Sequence, residues 1–209
     1  MLKQSGLSYI KERKMNVNPY LNVPESQWQE LTSRLVNNHP LTPHLVDLVM
    51  DSWRGLFNTS FGTHGLKIGV DIFPKPQITG AILHELIPAA IEAQFPQQWR
   101  KEETKNDKDI VCKYDNSLSI ELKTSSNPGQ IFGNRSYAQP QNGEGKIKDG
   151  FYLAVNFQPF SQASATPQIL KIRFGWLAHT DWIAQSSSTG QQARLASHTY
   201  QNKFITLYG

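Results

Sequence analysis

The chain has 209 residues, of which 38% are hydrophobic and 18% charged, so its composition excludes a disordered protein and favours a single domain over residues 1–209. No apolar run approaches the ~20 residues of a membrane-spanning helix, and the first residues lack the apolar core of a signal peptide. The single cysteine, Cys112, excludes an intramolecular disulfide and fits a cytoplasmic protein. The net charge of +4 is compatible with a polyanionic partner but does not establish one.

The first half of the chain has a mostly helical pattern. Residues 1–20 are polar and basic, and we expect them to form a flexible arm. Apolar residues at helical spacing predict helices over residues 25–38 and 43–57, separated by a proline-containing break. A loop rich in glycine and proline should follow over residues 58–76, and a third helix over residues 77–94.

The third predicted helix carries His84 and Glu85. Pro88 should kink this helix, and it stands where a zinc-binding H-E-x-x-H helix has its second histidine. The six histidines show no other metal-ligand spacing, so we do not expect a zinc site. Glu85 has two interpretations, an outer acid near a metal and an ordinary solvent-facing residue. The mixed-charge run over residues 100–108 predicts a solvated loop.

The segment from Asp109 to Lys123 is the most informative part of the chain. It predicts two short strands joined by a turn, with Asp109 opening the first strand and Glu121-Leu-Lys123 in the second. Because successive strand side chains point to opposite faces, Glu121 and Lys123 should share one face. The other face is mostly apolar and would pack into a core; it consists of Leu118, Ile120, Leu122 and Thr124.

This combination of acids and an amine suits phosphodiester hydrolysis. A hard cation such as Mg²⁺ prefers carboxylate and carbonyl oxygens, which Asp109, Glu121 and the Leu122 backbone carbonyl could supply. Lys123 would lie beside the phosphate, where an ammonium group can orient the attacking water and stabilise developing charge. Asp115 is a competing first acid, but aspartate is common in turns for structural reasons. These residue types are common, so the pattern alone is a weak predictor.

Beyond the hairpin, the pattern alternates between strands and short polar segments. Strands are predicted over residues 151–157, 168–174 and 204–208, and short helices over residues 181–184 and 190–196. The order of helices, then strands, then short helices and a strand indicates an α/β or α+β sandwich.

Two polar segments are candidates for contact with nucleic acid. One continues from Lys123 and is rich in amide, hydroxyl and guanidinium groups, which bind phosphates and base edges. The other segment, residues 186–194, would contact DNA from the N-terminus of the predicted helix over residues 190–196. An ordinary polar loop and an ordinary capped helix are the alternative interpretations. The candidate DNA-binding residues are Ser125, Ser126, Gln130, Asn134, Arg135, Ser136, Gln139, Gln191 and Arg194.

Seven short segments form a distinctive set. They are GVDIFPKPQ (69–77), HELIP (84–88), IELKTSS (120–126), QIFGNRSYAQ (130–139), RFGWL (173–177), HTDWI (179–183) and TGQQARL (189–195). Together they resemble the ScaI family of type II restriction endonucleases. This resemblance is far more discriminating than the Glu-x-Lys triplet alone.

The resemblance implies a fold, a reaction and a site. The implied fold is α/β, a restriction endonuclease-like PD-(D/E)XK core with a mixed central β-sheet flanked by α-helices. The implied reaction is Mg²⁺-dependent cleavage of double-stranded DNA at a short palindrome, with AGTACT cut to blunt ends as a candidate and 5′-phosphates as products. Asp109, Glu121 and Lys123 carry over as catalytic, although Lys108 replaces the proline of the motif name. We add Glu85 to the catalytic set, and Asp109, Glu121 and Leu122 are the expected ligands of Mg²⁺.

The expected partners follow from cutting both strands of a palindrome. Two active sites related by a twofold axis are needed, so we expect a homodimer. A cognate DNA methyltransferase is expected as system partner without direct contact, and no membrane partner is expected.

Two alternative functions fit the same residues. A structure-specific or repair nuclease of the same fold would cut at a junction or lesion and not at a defined sequence. A non-catalytic DNA-binding protein fits the two acids and the lysine less well, because two carboxylates without a metal would repel the DNA backbone. A hydrolase of small phosphoesters is a weaker third interpretation.

Overall fold

The structure of this chain is a computed structural model that describes residues 17–140, 145–161, 166–187 and 189–209. Residues 1–16 of the predicted arm lie outside the described residues. The arm prediction is wrong at its end, because Tyr20 is only 4% exposed. The Tyr20 hydroxyl shares a hydrogen bond of 2.7 Å with Thr32, which fixes this residue against the first helix.

The helices of the first half agree with the sequence pattern. The described chain contains α1 Trp28–Asn37, α2 Leu45–Asn58, α3 Pro76–Gln94 and α4 Ser197–Asn202. Short 3-10 turns precede α1 and α2. α3 continues through Pro88 to its end at Gln94. No helix within the described ranges is both long and apolar enough to cross a membrane.

A six-stranded mixed sheet lies at the centre of the fold. The strands, in chain order, are β1 Ser60–Phe61, β2 Leu66–Lys67, β3 Trp99–Lys101, β4 Ile110–Cys112, β5 Ile120–Ser125, β6 Phe132–Asn134, β7 Gly150–Phe157, β8 Ile169–Leu177, β9 Trp182–Ala184, β10 Gln192–Leu195 and β11 Phe204–Tyr208. The central sheet has the order β11-β8-β7-β5-β4-β3, and a small second sheet has the order β6-β10-β9. Within the central sheet only β5 and β7 pair in parallel. The molecule is therefore a mixed α/β protein.

The two faces of the central sheet are covered differently. Along β7, the odd-numbered residues 151 to 157 pack into a core shared with α1, α2 and α3. Tyr152 and Ala154 point the other way and pack with Trp182, Ala193 and Leu195 of the small sheet. This strict alternation is the strand period of two. It places Glu121 and Lys123, which align with Tyr152 and Ala154 in β5–β7 pairing, on the small-sheet side.

Three predicted elements are corrected by the structure. Residues 182–184 and 192–195 are strands β9 and β10, not helices. Burial along β10 alternates, with Ala193 and Leu195 inside, so pairing with β6 and β9 overrides the helix propensity of its residues. The predicted loop over residues 100–108 begins inside the edge strand β3 and ends at Lys108, which is 5% exposed.

His39 is a buried histidine in the core on the helical side. Its ring centroid lies 4.5 Å from that of Phe151 and 4.8 Å from that of Phe174. The Leu41 N–H donates to Nδ1 at 3.3 Å, so Nε2 carries the proton and donates to the Leu118 carbonyl at 2.9 Å. Burial lowers the pKa of His39 to about 4, because the charged ring would be cut off from water.

This burial predicts a loss of stability in mild acid. The unfolded chain takes up a proton near the ordinary pKa of 6.5, whereas folded His39 does so only near 4. The free energy of unfolding therefore keeps its full value above pH 6.5 and falls as the pH drops towards 4. The decrease between pH 7.5 and pH 5 is about 2 kcal/mol. In urea unfolding, the His39→Gln variant should lack this decrease in the free energy of unfolding. The His64→Gln variant, which changes an exposed histidine, should retain it. Identical pH profiles for wild type and His39→Gln would contradict the assignment.

Candidate active site

The candidate site occupies a gap where two strands of the central sheet diverge. β4 and β5 pair only at Ile110 and Ile120. Asp109 lies immediately before β4, and its Oδ2 accepts a hydrogen bond from the Leu122 N–H at 2.6 Å. The aspartate side chain thus takes the place of the missing strand pairing, which fixes the carboxylate beside the middle of β5.

Glu121 and Lys123 share one face of β5, as strand alternation predicts. Lys123 Nζ donates to Glu121 Oε1 at 2.7 Å and to the Leu122 carbonyl at 3.2 Å. Glu121 is 1% exposed, whereas the Lys123 side chain is 12% exposed. The structure therefore brings Asp109, Glu121, Lys123 and the Leu122 backbone together at one point.

Lys146 is a member of this cluster that the sequence pattern did not reveal. Its Nζ lies 3.3 Å from Asp109 Oδ1 and 2.9 Å from Glu121 Oε2. It comes from the segment before β7 and is 37 residues from Asp109 in the chain. One positively charged atom thus contacts both carboxylates at once.

Two further residues of the site were also missed. Lys108 is buried next to Asp109, and its Nζ lies 3.5 Å from the Lys148 carbonyl. In the sequence, only its position beside Asp109 indicated a role in the site. The charged residues around it predicted a solvated loop instead. Tyr137, from the 3-10 turn after β6, donates its hydroxyl hydrogen to Glu121 Oε1 and accepts from Lys123 Nζ at 2.9 Å.

The surrounding charges keep Glu121 ionised. Burial alone would raise its pKa, but the ammonium groups of Lys123, Lys108 and Lys146 outweigh burial and hold that pKa well below its usual range. Burial lowers the pKa of Lys108 to about 8. Burial also opposes the charge on Lys146, yet the Glu121 and Asp109 carboxylates raise its pKa. Burial, and then the neighbouring Glu121 carboxylate, raise the pKa of Tyr137, so its phenol is neutral and serves as a donor.

The donor set fits a hard divalent cation. Within the described ranges there is no group of three or more His, Cys, Asp or Glu side chains that could hold a metal ion. The candidate ligands are instead the Asp109 and Glu121 carboxylates and the Leu122 carbonyl oxygen. Both carboxylates already converge on one cationic atom, Lys146 Nζ. A small set of oxygen ligands completed by water is the arrangement that Mg²⁺ favours.

The other two acids of the sequence prediction are placed differently. Glu85 is exposed on α3 and lines a pocket of about 230 Å³ together with Asp109. The adjacent His84 lines the same pocket, with its Nδ1 3.9 Å from Asp109 Oδ2. Asp115 accepts the Ser117 N–H at 2.9 Å in the turn, so this acid has the structural use expected of a turn residue.

α3 reaches the site because it approaches β5 closely. A Cβ atom at Gly80 would lie 2.8 Å from Thr124 Oγ1, so no larger residue fits between helix and strand as they stand. This contact brings the side of α3 that carries His84 to the border of two neighbouring clefts. One cleft, of about 580 Å³, extends from Lys123 to the small sheet, and the other runs along Ser125 and Ser126.

Only some of the predicted DNA-binding residues line these two clefts, among them Ser125 and Ser126. Asn134 and Gln191 line the larger cleft, and Gln130, Ser136, Gln139 and Arg194 are exposed. Gln191 precedes strand β10, and Arg194 lies within it, so the predicted helix N-terminus is wrong. The Arg135 guanidinium donates to the Ser187 carbonyl at 3.0 Å and thereby braces the connection between β9 and β10.

The chain is similar to known proteins over nearly its whole length. Residues 18–208 match the sequence model of the ScaI restriction endonuclease family. The chain is 42% identical over 198 residues to the type II restriction enzyme ScaI of Streptomyces caespitosus, which covers 93% of this chain and 86% of that protein. No solved structure matches the chain significantly.

Proposed function

The chain belongs to the ScaI restriction endonuclease family, and from this membership we propose that it is a type II restriction endonuclease that hydrolyses double-stranded DNA at a short palindrome. The observation that carries the proposal is the convergence of Asp109, Glu121 and Lys123 in the gap between β4 and β5. We also assign the fold to the PD-(D/E)XK nucleases, because the first acid immediately precedes β4 and the second acid and the lysine lie on the neighbouring strand β5 of a mixed central sheet.

We propose Mg²⁺ as the cofactor. Asp109, Glu121 and the Leu122 carbonyl would hold it. When bound, Mg²⁺ neutralises charge on the scissile phosphate and makes an attacking water easier to deprotonate.

The protein's own groups perform the remaining work. Lys123 Nζ, held by Glu121 and Tyr137, is placed to orient the attacking water and to stabilise the charge that develops on the phosphate. Tyr137 supports Glu121 from the small-sheet side and fixes the direction of its carboxylate. Asp109 is tied to the Leu122 N–H, so both acids are pre-positioned before DNA arrives.

The proposed assembly follows from the single site in each chain. Cutting two strands at a palindrome requires two chains related by a twofold axis, so we propose a homodimer. AGTACT, cut at its centre to blunt ends with 5′-phosphates, is the first sequence to test, because of the family resemblance. A DNA methyltransferase that protects the same sequence would be its partner in the restriction system without touching it.

Incubation with a plasmid of known sequence tests the proposal. We expect discrete fragments with Mg²⁺ and none with EDTA, because removing the cation removes both the neutralisation of the scissile phosphate and the activation of the attacking water. Mapping the fragment ends should give one sequence at every cut and 5′-phosphates on each end. Cleavage confined to junctions or damaged DNA would favour a structure-specific or repair nuclease. Binding without cleavage under all conditions would favour a non-catalytic DNA-binding protein.

A further inference from the structure

The connection between β5 and β6 is held by buried side chains that the proposed chemistry does not use. This β5–β6 loop comprises residues 126–131 and joins the strand of Glu121 and Lys123 to the small sheet. Asn156 is fully buried on β7, beside Ser125 in the parallel pairing. Its Nδ2 donates to the Asn127 carbonyl at 2.6 Å and to the Gln130 carbonyl at 3.0 Å.

Arg173 extends this grip from the next strand. It lies on β8 and is 5% exposed, although arginine is rarely buried without a strong reason. Its Nη2 donates to the Gly129 carbonyl at 2.8 Å and to Asn156 Oδ1 at 2.8 Å. The guanidinium therefore holds the loop directly, and it also orients the Asn156 amide, which binds the Asn127 and Gln130 carbonyls.

Tyr200 completes the arrangement from α4. Its ring lies against the Arg173 guanidinium, with 4.5 Å between the guanidinium carbon and the ring centroid. Its hydroxyl accepts the Ile131 N–H at 2.9 Å and lies 3.4 Å from the Ile131 carbonyl. Asn156, Arg173 and Tyr200, here called the loop clamp, thus engage backbone groups of four of the five residues from 127 to 131.

The loop clamp faces inward, and the loop's outer surface is free to face a partner. Ser126 of the loop lines the cleft beside α3, together with Ser125 at the end of β5, and Gln130 is exposed. Asn127 turns back on the loop, with Oδ1 accepting the N–H groups of Gly129 at 3.0 Å and Gln130 at 2.9 Å. These backbone groups of the loop therefore have hydrogen-bond partners within the protein, and the loop holds its outer polar side chains in fixed positions.

We propose that Asn156, Arg173 and Tyr200 are positioning residues for sequence recognition, which they achieve by holding the β5–β6 loop so that its outer side chains meet DNA at a fixed distance from Glu121. This inference rests on the proposed endonuclease function. A loop ordered before binding loses less entropy when it contacts DNA, so the loop clamp contributes to affinity and discrimination without touching DNA.

The test uses conservative variants of the full-length protein and the cleavage sequence mapped for wild type. Tyr200→Phe removes the bonds to Ile131 but keeps the ring beneath Arg173. We expect KM for the cognate duplex to rise by about tenfold, the scale of one lost hydrogen bond, with a much smaller change in kcat. The ratio of kcat/KM between the cognate duplex and a duplex with one altered base pair should fall, and the backbone amides of residues 126, 127 and 129–131 should exchange hydrogen faster.

Matched variants separate positioning from general stability. Tyr20→Phe also removes a buried phenol hydrogen bond, but from the helical side; it should lower the melting temperature and leave KM and discrimination unchanged. Arg173→Met should reproduce the recognition defect, and Arg173→Lys should restore part of it. If wild type cleaves no duplex, the proposed function and this inference both fail. If wild type cuts at one sequence while Tyr200→Phe and Arg173→Met keep wild-type KM, discrimination and exchange, only the loop clamp is refuted.

Discussion

Replacing Glu121 by glutamine is expected to reduce DNA cleavage on the order of 10³-fold, the scale for losing one group that stabilises transition-state charge. Glutamine keeps the size of the side chain but removes the charge that pairs with Lys123 and Lys146. A neutral amide is also a poor ligand for a hard cation. Single-turnover cleavage of a labelled duplex measures this effect independently of product release.

The Glu121→Gln variant should still bind DNA, because removing a negative charge reduces repulsion of the phosphates. Its folding needs a separate check, since three buried or half-buried ammonium groups lose their nearest counter-charge. Glu30→Gln, at an exposed site on α1, is the matched control and should cut at the wild-type rate. A folded Glu121→Gln enzyme that cuts as fast as wild type would show that the site is wrongly assigned.

Lys123→Met is expected to lower the single-turnover cleavage rate on the order of 10²- to 10³-fold. Methionine keeps much of the unbranched side chain but cannot donate hydrogen bonds to water or phosphate. The variant loses the ammonium group that contacts Glu121, the Leu122 carbonyl and Tyr137. DNA binding, measured by fluorescence anisotropy, should weaken much less than the rate falls.

Lys146→Met is the informative comparison for Lys123→Met. Lys146 Nζ lies against the oxygens that would hold a divalent cation, so the two would compete for the same carboxylates. Loss of Lys146 should therefore reduce cleavage far less than loss of Lys123, and should lower the Mg²⁺ concentration needed for half-maximal rate. The reverse order of effects, with Lys146 indispensable and Lys123 dispensable, would exchange the roles of the two lysines.

The hairpin of the site was predictable because its determinants are local. Strand alternation alone puts Glu121 and Lys123 on one face and Ile120 and Leu122 on the other. The structure has that arrangement, with the two apolar residues fully buried against the helices. The apolar stripes of α1 and α2 were readable for the same reason, since helical periodicity is a property of neighbouring residues.

Other parts of the site depend on contacts between distant residues. Tyr137 reaches Glu121 across 16 residues and Lys146 reaches Asp109 across 37, and no spacing rule connects such pairs. β10 consists of residues that also suit a helix, and only its pairing with β6 and β9 makes it a strand. Lys108 was predicted to lie in a solvated loop because charged neighbours surround it, yet its burial follows from its position beside β4.

A crystal structure of the wild-type enzyme with its cleaved duplex and Mn²⁺ would test most directly the claim that Asp109 and Glu121 hold the catalytic cation. The anomalous signal of Mn²⁺ locates the cation independently of the protein coordinates. We predict a peak within about 2 Å of carboxylate oxygens of both Asp109 and Glu121, with a DNA phosphate as a further ligand and Lys123 Nζ beside it. A cation bound to the DNA at a place remote from these two carboxylates would contradict the account.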